Sequence, residues 1–95
     1  MRSEVEGRIV TALSGRDRGR TFVVAAAEPE GFVMLVDGET RRFARPKKKK
    51  LKHVEFHEER LDLTQLTNDK ACADAFIRKA LIQRGYNKKT VSEEG

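Results

Sequence analysis

Between Arg41 and Lys52, eight of twelve positions are basic: Arg41, Arg42, Arg45, Lys47, Lys48, Lys49, Lys50 and Lys52. A second group, Arg16, Arg18 and Arg20, recurs at every other position beside Gly15 and Gly19. Cations at this density suit one chemistry above others, the neutralisation of a polyanion's phosphates. Guanidinium groups grip phosphate in bidentate fashion and stack on bases, whereas ammonium groups act as mobile point charges. On that division Arg16, Arg18, Arg41, Arg42 and Arg45 position the partner and the lysines supply affinity. Arg20 and His53, adjoining the two groups, complete the candidate contact set.

Rival chemistries are weaker. His53 and His57 are four apart, a metal-pair spacing only on a helix; on a strand they share a face but stand about 13 Å apart. Glu58 and Glu59 are adjacent carboxylates in a solvated stretch, better suited to balancing nearby cations than to acid/base work. Cys72 has no matching histidine signature. Ser14 lies in a glycine-flanked loop without the spacing of a nucleophile elbow or a phosphate-cradling loop. No active site, cofactor or metal is expected.

The charge is one-sided. Residues 1–54 carry 13 Lys and Arg against 7 Asp and Glu, and residues 55–95 carry 7 against 8. A merely solvated surface intersperses the two signs, so the basic half is an electrostatic footprint for phosphates. At 95 residues, with 38% hydrophobic composition, the chain suits one small domain with appendages. A single cysteine suits a reducing compartment. No apolar run approaches the roughly 20 residues that span a bilayer, and no secretory signal is visible; a cytoplasmic monomer that avoids membranes is expected.

The elements that must position these cations are mostly strands. Val5–Leu13 and Thr21–Ala27 flank the Gly15–Gly19 loop, whose glycines suit positive φ or close backbone approach. Glu28-Pro29-Glu30-Gly31 turns the chain, and Phe32–Val36 is a short apolar strand. Asp37-Gly38 is a favoured hairpin turn from which Thr40–Ala44 returns as a fourth strand. Pro46 stops pairing. Four adjacent ammonium groups cannot all be desolvated, so Lys47–Lys50 is expected to be an exposed loop before a fifth strand, Leu51–Phe56. Residues 58–67 read as a connector. Thr67 suits an N-cap with Asp69 in the first turn. Ala73, Phe76, Ile77, Ala80 and Leu81 form one apolar stripe, Asp74 and Arg78 an i,i+4 pair on the other side, and Gly85 a stop. This predicts an amphipathic helix over 68–84, packed on the sheet, and a disordered tail over 85–95.

The run Gly7-x-Ile9-Val10, then Ser14-Gly15-Arg16-Asp17-Arg18-Gly19-Arg20 and Thr21-Phe22-Val23-Val24, resembles the KOW motif of ribosomal proteins and transcription elongation factors. Arg45 to Val54 is similar to the segment that closes the small barrel in KOW-containing ribosomal proteins of the L14e type. The resemblance covers about the first 57 residues. It implies a mainly β fold, a five-stranded SH3-like barrel over residues 1–57 with the C-terminal helix appended. It also implies RNA binding, usually to ribosomal RNA, with ribosomal proteins as further neighbours.

Two functions follow as expectations: a non-catalytic RNA-binding protein acting on the ribosome or its RNA, and a protein-interaction module of the transcription or translation machinery. Phe22, Phe32, Phe43, Phe56 and Phe76 read mostly as core. Backbone and shape contact with structured RNA is therefore favoured over stacking of single-stranded bases.

Overall fold

The computed structural model describes residues 5–63 and 70–87. Five antiparallel strands, β1 (Arg8–Ala12), β2 (Thr21–Glu28), β3 (Phe32–Val36), β4 (Lys47–Lys50) and β5 (Val54–Arg60), precede one helix, α1 (Lys70–Gln83). The strands form a single sheet in the order β4-β3-β2-β1-β5. Apolar residues alternate between its faces. Ile9, Val23 and Val36 point to the side where Ile77, Ala80 and Leu81 of α1 cover them, joined by Leu61. Val10, Ala12, Phe22, Val24, Val33, Leu35 and Val54 form a second cluster on the other side.

That second cluster is buried, yet among the described residues α1 supplies none of its members. The sheet buries it by curling. Chain connectivity requires the same curvature, because β4 and β5 are the two edges of the sheet and a single 3-10 turn, Leu51–His53, links them. In a flat sheet the edges would lie four strand spacings apart, about 19 Å. The four peptide steps from Lys50 to Val54 extend at most about 14 Å. Register shifts between Arg8 and Val10 and between Val24 and Ala26 are irregularities of the kind that bend strands locally. The edges approach, but no β4–β5 ladder joins them, so the sheet stays open rather than closing into a barrel.

Several boundaries depart from the sequence expectation. The segment Thr40–Ala44 is a loop, and the fourth strand is the lysine run itself, paired Leu35↔Lys47 through Phe32↔Lys50. The desolvation argument against a lysine strand fails because this strand lies at a sheet edge. Pairing uses only backbone groups, and lysine is a residue that protects exposed edges. Lys47 and Lys49, opposite Leu35 and Val33, are half-buried while Lys48 and Lys50 are exposed; the inward pair lays its stems over apolar surface and keeps its ammonium groups in water. Glu58, Glu59 and Arg60, read as connector, extend β5.

The helix is held differently from its expected amphipathic pattern. Ile77, Ala80 and Leu81 are buried, and burying Ile77 and Leu81 contributes about 1.5–3 kcal/mol each. Phe76, however, is 37% exposed and lies outside the packed stripe. Asp74 is buried, and its Oδ1 accepts the Phe43 N–H at 2.9 Å instead of facing solvent beside Arg78. Beyond Gly85, Tyr86 and Asn87 are folded back on the sheet rather than disordered. The Asn87 amide accepts from Thr21 N at 3.0 Å and donates to Thr21 O at 2.7 Å, and the Tyr86 hydroxyl donates to Glu59 at 2.9 Å. The expected cap at Thr67 and Asp69, the rest of the connector and the tail over 88–95 lie outside the described residues.

One glycine sets how closely α1 approaches. Gly38 has φ +78°, and a Cβ there would lie 2.1 Å from the Asp74 carbonyl oxygen and 2.8 Å from Arg78 N. Gly19 has φ +87° with open space around it. Gly19→Ala is therefore expected to cost about 1–2 kcal/mol, the left-handed backbone alone. Gly38→Ala is expected to cost a further ~1–3 kcal/mol because the helix must move. Urea unfolding of both variants measures the difference, and equal costs would contradict the close approach.

Candidate nucleic-acid interface

Three segments that carry candidate cations are tied to one another. The first is the β1–β2 loop, closed by Gly19 N–H donating to Ala12 O at 2.9 Å and Ala12 N–H to Arg20 O at 3.0 Å. Arg16 and Arg18 are exposed on it. The second is the excursion 37–46 between β3 and β4, and the third is β4 itself.

The excursion is organised by Asp37, which the sequence marks only as half of an Asp-Gly turn. Its side chain is buried, and its Oδ1 accepts the backbone N–H groups of Glu39 and Arg41 at 2.9 and 2.8 Å. Its Oδ2 accepts the Thr40 hydroxyl at 2.7 Å and the Arg20 Nε–H. Burial alone would raise this carboxyl, but these bonds outweigh it and hold the group below its ordinary value. The Arg20 guanidinium, opposed by its own burial, is held above its ordinary value by Asp37 and Glu39.

The same contacts join the segments. Arg20 crosses from the first loop to Asp37 and to Glu39 at 3.1 Å. Arg41 returns from the second loop to Asp17 at 3.3 Å. Lys49 Nζ donates to Ser14 O at 2.8 Å, tying β4 to the arginine loop. In a flat sheet β4 and β1 would lie about 14 Å apart, so this contact is a product of the curl. Leu13 N–H donates to His53 O at 2.8 Å, which sets half-buried His53 beside the loop base.

The candidate residues therefore divide into two kinds. Arg20, Arg41 and Lys49, expected to reach for a polyanion, are instead committed to internal partners. Lys48 lies 3.7 Å from Glu28, and its ammonium and that of Lys50 stand over the Phe32 ring. Among the described residues, the side chains of Arg16, Arg18, Arg42, Arg45, Lys47 and Lys52 have no hydrogen-bond or ion-pair partner. Across residues 13–20 and 37–52, eleven Lys and Arg face three acids, Asp17, Asp37 and Glu39. All three acids are paired with arginines. Exposed ion pairs stabilise little, so the outer bonds mainly orient the loops, while buried Asp37 supplies the strong anchor.

Sequence reasoning missed Asp37, Asp17 and Glu39. The available signal was an Asp followed within four residues by a hydroxyl and a free N–H, the pattern of a side-chain-closed turn. It also read Phe32 as core, although Phe32 belongs to neither apolar cluster.

The other candidates are dispersed. His57 Nε2 lies 2.7 Å from the Thr11 hydroxyl with its ring centroid 5.4 Å from that of Tyr86. Cys72 is exposed on α1. Among the described residues, no three His, Cys, Asp or Glu side chains are grouped to hold a metal ion, and no helix is long and apolar enough to cross a membrane. In comparisons with known proteins, the chain matches no family model and no curated protein sequence.

Asp37 makes a pH-dependent prediction. Its folded carboxyl titrates below the ordinary value of 3.8, so its stabilisation is complete above the unfolded value and is lost as pH falls through the folded one. Asp37→Asn is expected to destabilise by about 2 kcal/mol near neutrality, the loss of charge-assisted bonds at a buried site. The gap from wild type should hold from pH 7 to about 5 and shrink below about 4. Denaturant titrations across that range measure it, and a gap that widens toward acid would contradict the assignment.

Proposed function

We propose that this chain is a non-catalytic RNA-binding protein that grips structured RNA, in the first instance ribosomal RNA, through the basic surface of the β1–β2 loop, the excursion 37–46 and β4. The observation that carries this reading is convergence. Segments up to 35 residues apart in sequence meet, Lys49 reaching Ser14, and the acids of the two loops, Asp17, Asp37 and Glu39, are already paired with Arg20 and Arg41. What faces outward is an excess of free guanidinium and ammonium groups. A polyanion with regularly spaced charges matches that field better than a mixed-charge protein surface does.

The SH3-like, KOW-type reading of the fold is part of the proposal. It is supported by five antiparallel strands with neighbours in the order β4-β3-β2-β1-β5, by the one-turn joint between β4 and β5, and by curvature strong enough to bury the inner cluster. A cytoplasmic, ribosome-associated role is the biological form of the same proposal.

Binding should be strongly salt-dependent. With roughly six phosphates neutralised, log K falls with log salt at a slope of about −4 to −5. Reversing Lys47, Lys48, Lys50 and Lys52 to glutamate should weaken binding to all RNA sequences alike, since phosphate contacts carry no base information. Anisotropy titrations at several salt concentrations test both; a binding constant indifferent to salt overturns the reading.

A second reading, a protein-interaction module, draws on one observation: Phe76 and Ile82 are each 37% exposed on α1. Retention of a protein partner after RNase treatment, abolished by Phe76→Asp with folding intact, would favour it. Ribosome co-sedimentation lost on RNase treatment would favour RNA.

A further inference from the structure

One aromatic ring is neither core nor bare surface. Phe32, Met34 and Val36 share a face of β3, but only Val36 lies under α1. Phe32 is half-buried at the far end of that face, joins neither apolar cluster, and is bordered on the edge strand by Lys48 and Lys50. Their ammonium groups stand 4.6 and 6.0 Å from the ring centroid. Gly31, next to Phe32 in the chain, and Lys50, opposite it in the sheet, line with Glu30, Leu51 and Lys52 an open cleft of about 320 Å³. That volume is at the lower end of the range for small-ligand sites.

We infer that Phe32 is a stacking platform for one unpaired nucleobase, whose phosphates are taken by Lys50 and Lys52 at the adjoining cleft. The inference rests on the RNA-binding reading and sharpens it, since it assigns a contact that a fully paired helix cannot make. Every base offers a π-face, and base–aromatic stacking is stronger than an exposed cation–π contact. A base that displaces the two ammonium groups from the ring therefore replaces a weak contact with a stronger one. The displaced cations do not go unpaired, because the phosphodiester arrives with the base. Glu28, 3.7 Å from Lys48, repels that phosphodiester and directs it to Lys50 and Lys52, which outnumber the one acid of the cleft lining, Glu30. Bases inside a duplex present no free face, so the platform selects loops, bulges and single strands.

The test compares two labelled RNAs at one low salt concentration: a hairpin with an unpaired loop, and its stem alone as a blunt duplex. Phe32→Leu keeps the apolar bulk and removes the π-face; Phe32→Tyr restores it. Phe32→Leu is expected to weaken hairpin binding about 5- to 100-fold while leaving the duplex within about twofold, and Phe32→Tyr to bind as wild type. With wild-type protein alone, abasic nucleotides in the loop should remove the hairpin preference. Hairpin binding unchanged by Phe32→Leu, or both RNAs weakened equally, overturns the platform and leaves the basic-surface reading standing. Failure of wild-type protein to bind either RNA removes the basic-surface reading and the platform together.

Discussion

A sheet with apolar side chains on both faces and one helix to cover them can bury both only by curling. In this chain the curl is also imposed by connectivity, since three residues separate the two edge strands. The tie between the lysine strand and the arginine loop depends on that bend. The bend brings the end of β1 within reach of Lys49 on the opposite edge and so ties the arginine loop to the lysine strand. A flat sheet of identical sequence would hold the same charges on separated edges, where salt screens them from one another and from a shared partner.

Concentrating like charges has an electrostatic cost, which is lowered by spending some of the cations internally. Arg20 and Arg41 each cross to an acid on the neighbouring loop, and Asp37 satisfies its buried carboxylate with four donors. A buried carboxylate is tolerable only when fully hydrogen-bonded, and here the donors come from two segments that must be correctly folded together. The carboxylate thus acts as a registration point: the loops are held rigid while Arg16, Arg18, Arg42 and Arg45 remain free. The helix is fixed to the same point, with Asp74 holding Phe43 N and with Gly38 permitting contact.

Much of this was readable from residue order. The strands β1, β2 and β3, the turn at Pro29–Gly31, the helix and its stop at Gly85 follow from apolar runs, from glycine and proline, and from helical spacing, all local properties of the chain. The one-sided charge was equally plain. The fourth strand was not, because a lysine run has no apolar pattern; its pairing is decided by the β3 backbone that lies alongside it.

Sequence by itself determined which residues could carry charge and which could be buried, since side-chain chemistry and spacing travel with the chain. Only the tertiary structure decided which cations are free, which aromatic lies against the lysine edge and which acid is buried. Those outcomes depend on distances between segments remote in sequence, such as Lys49 to Ser14 and Arg41 to Asp17. Local spacing carries no record of such distances; they are settled by the curvature needed to bury two apolar faces with one helix.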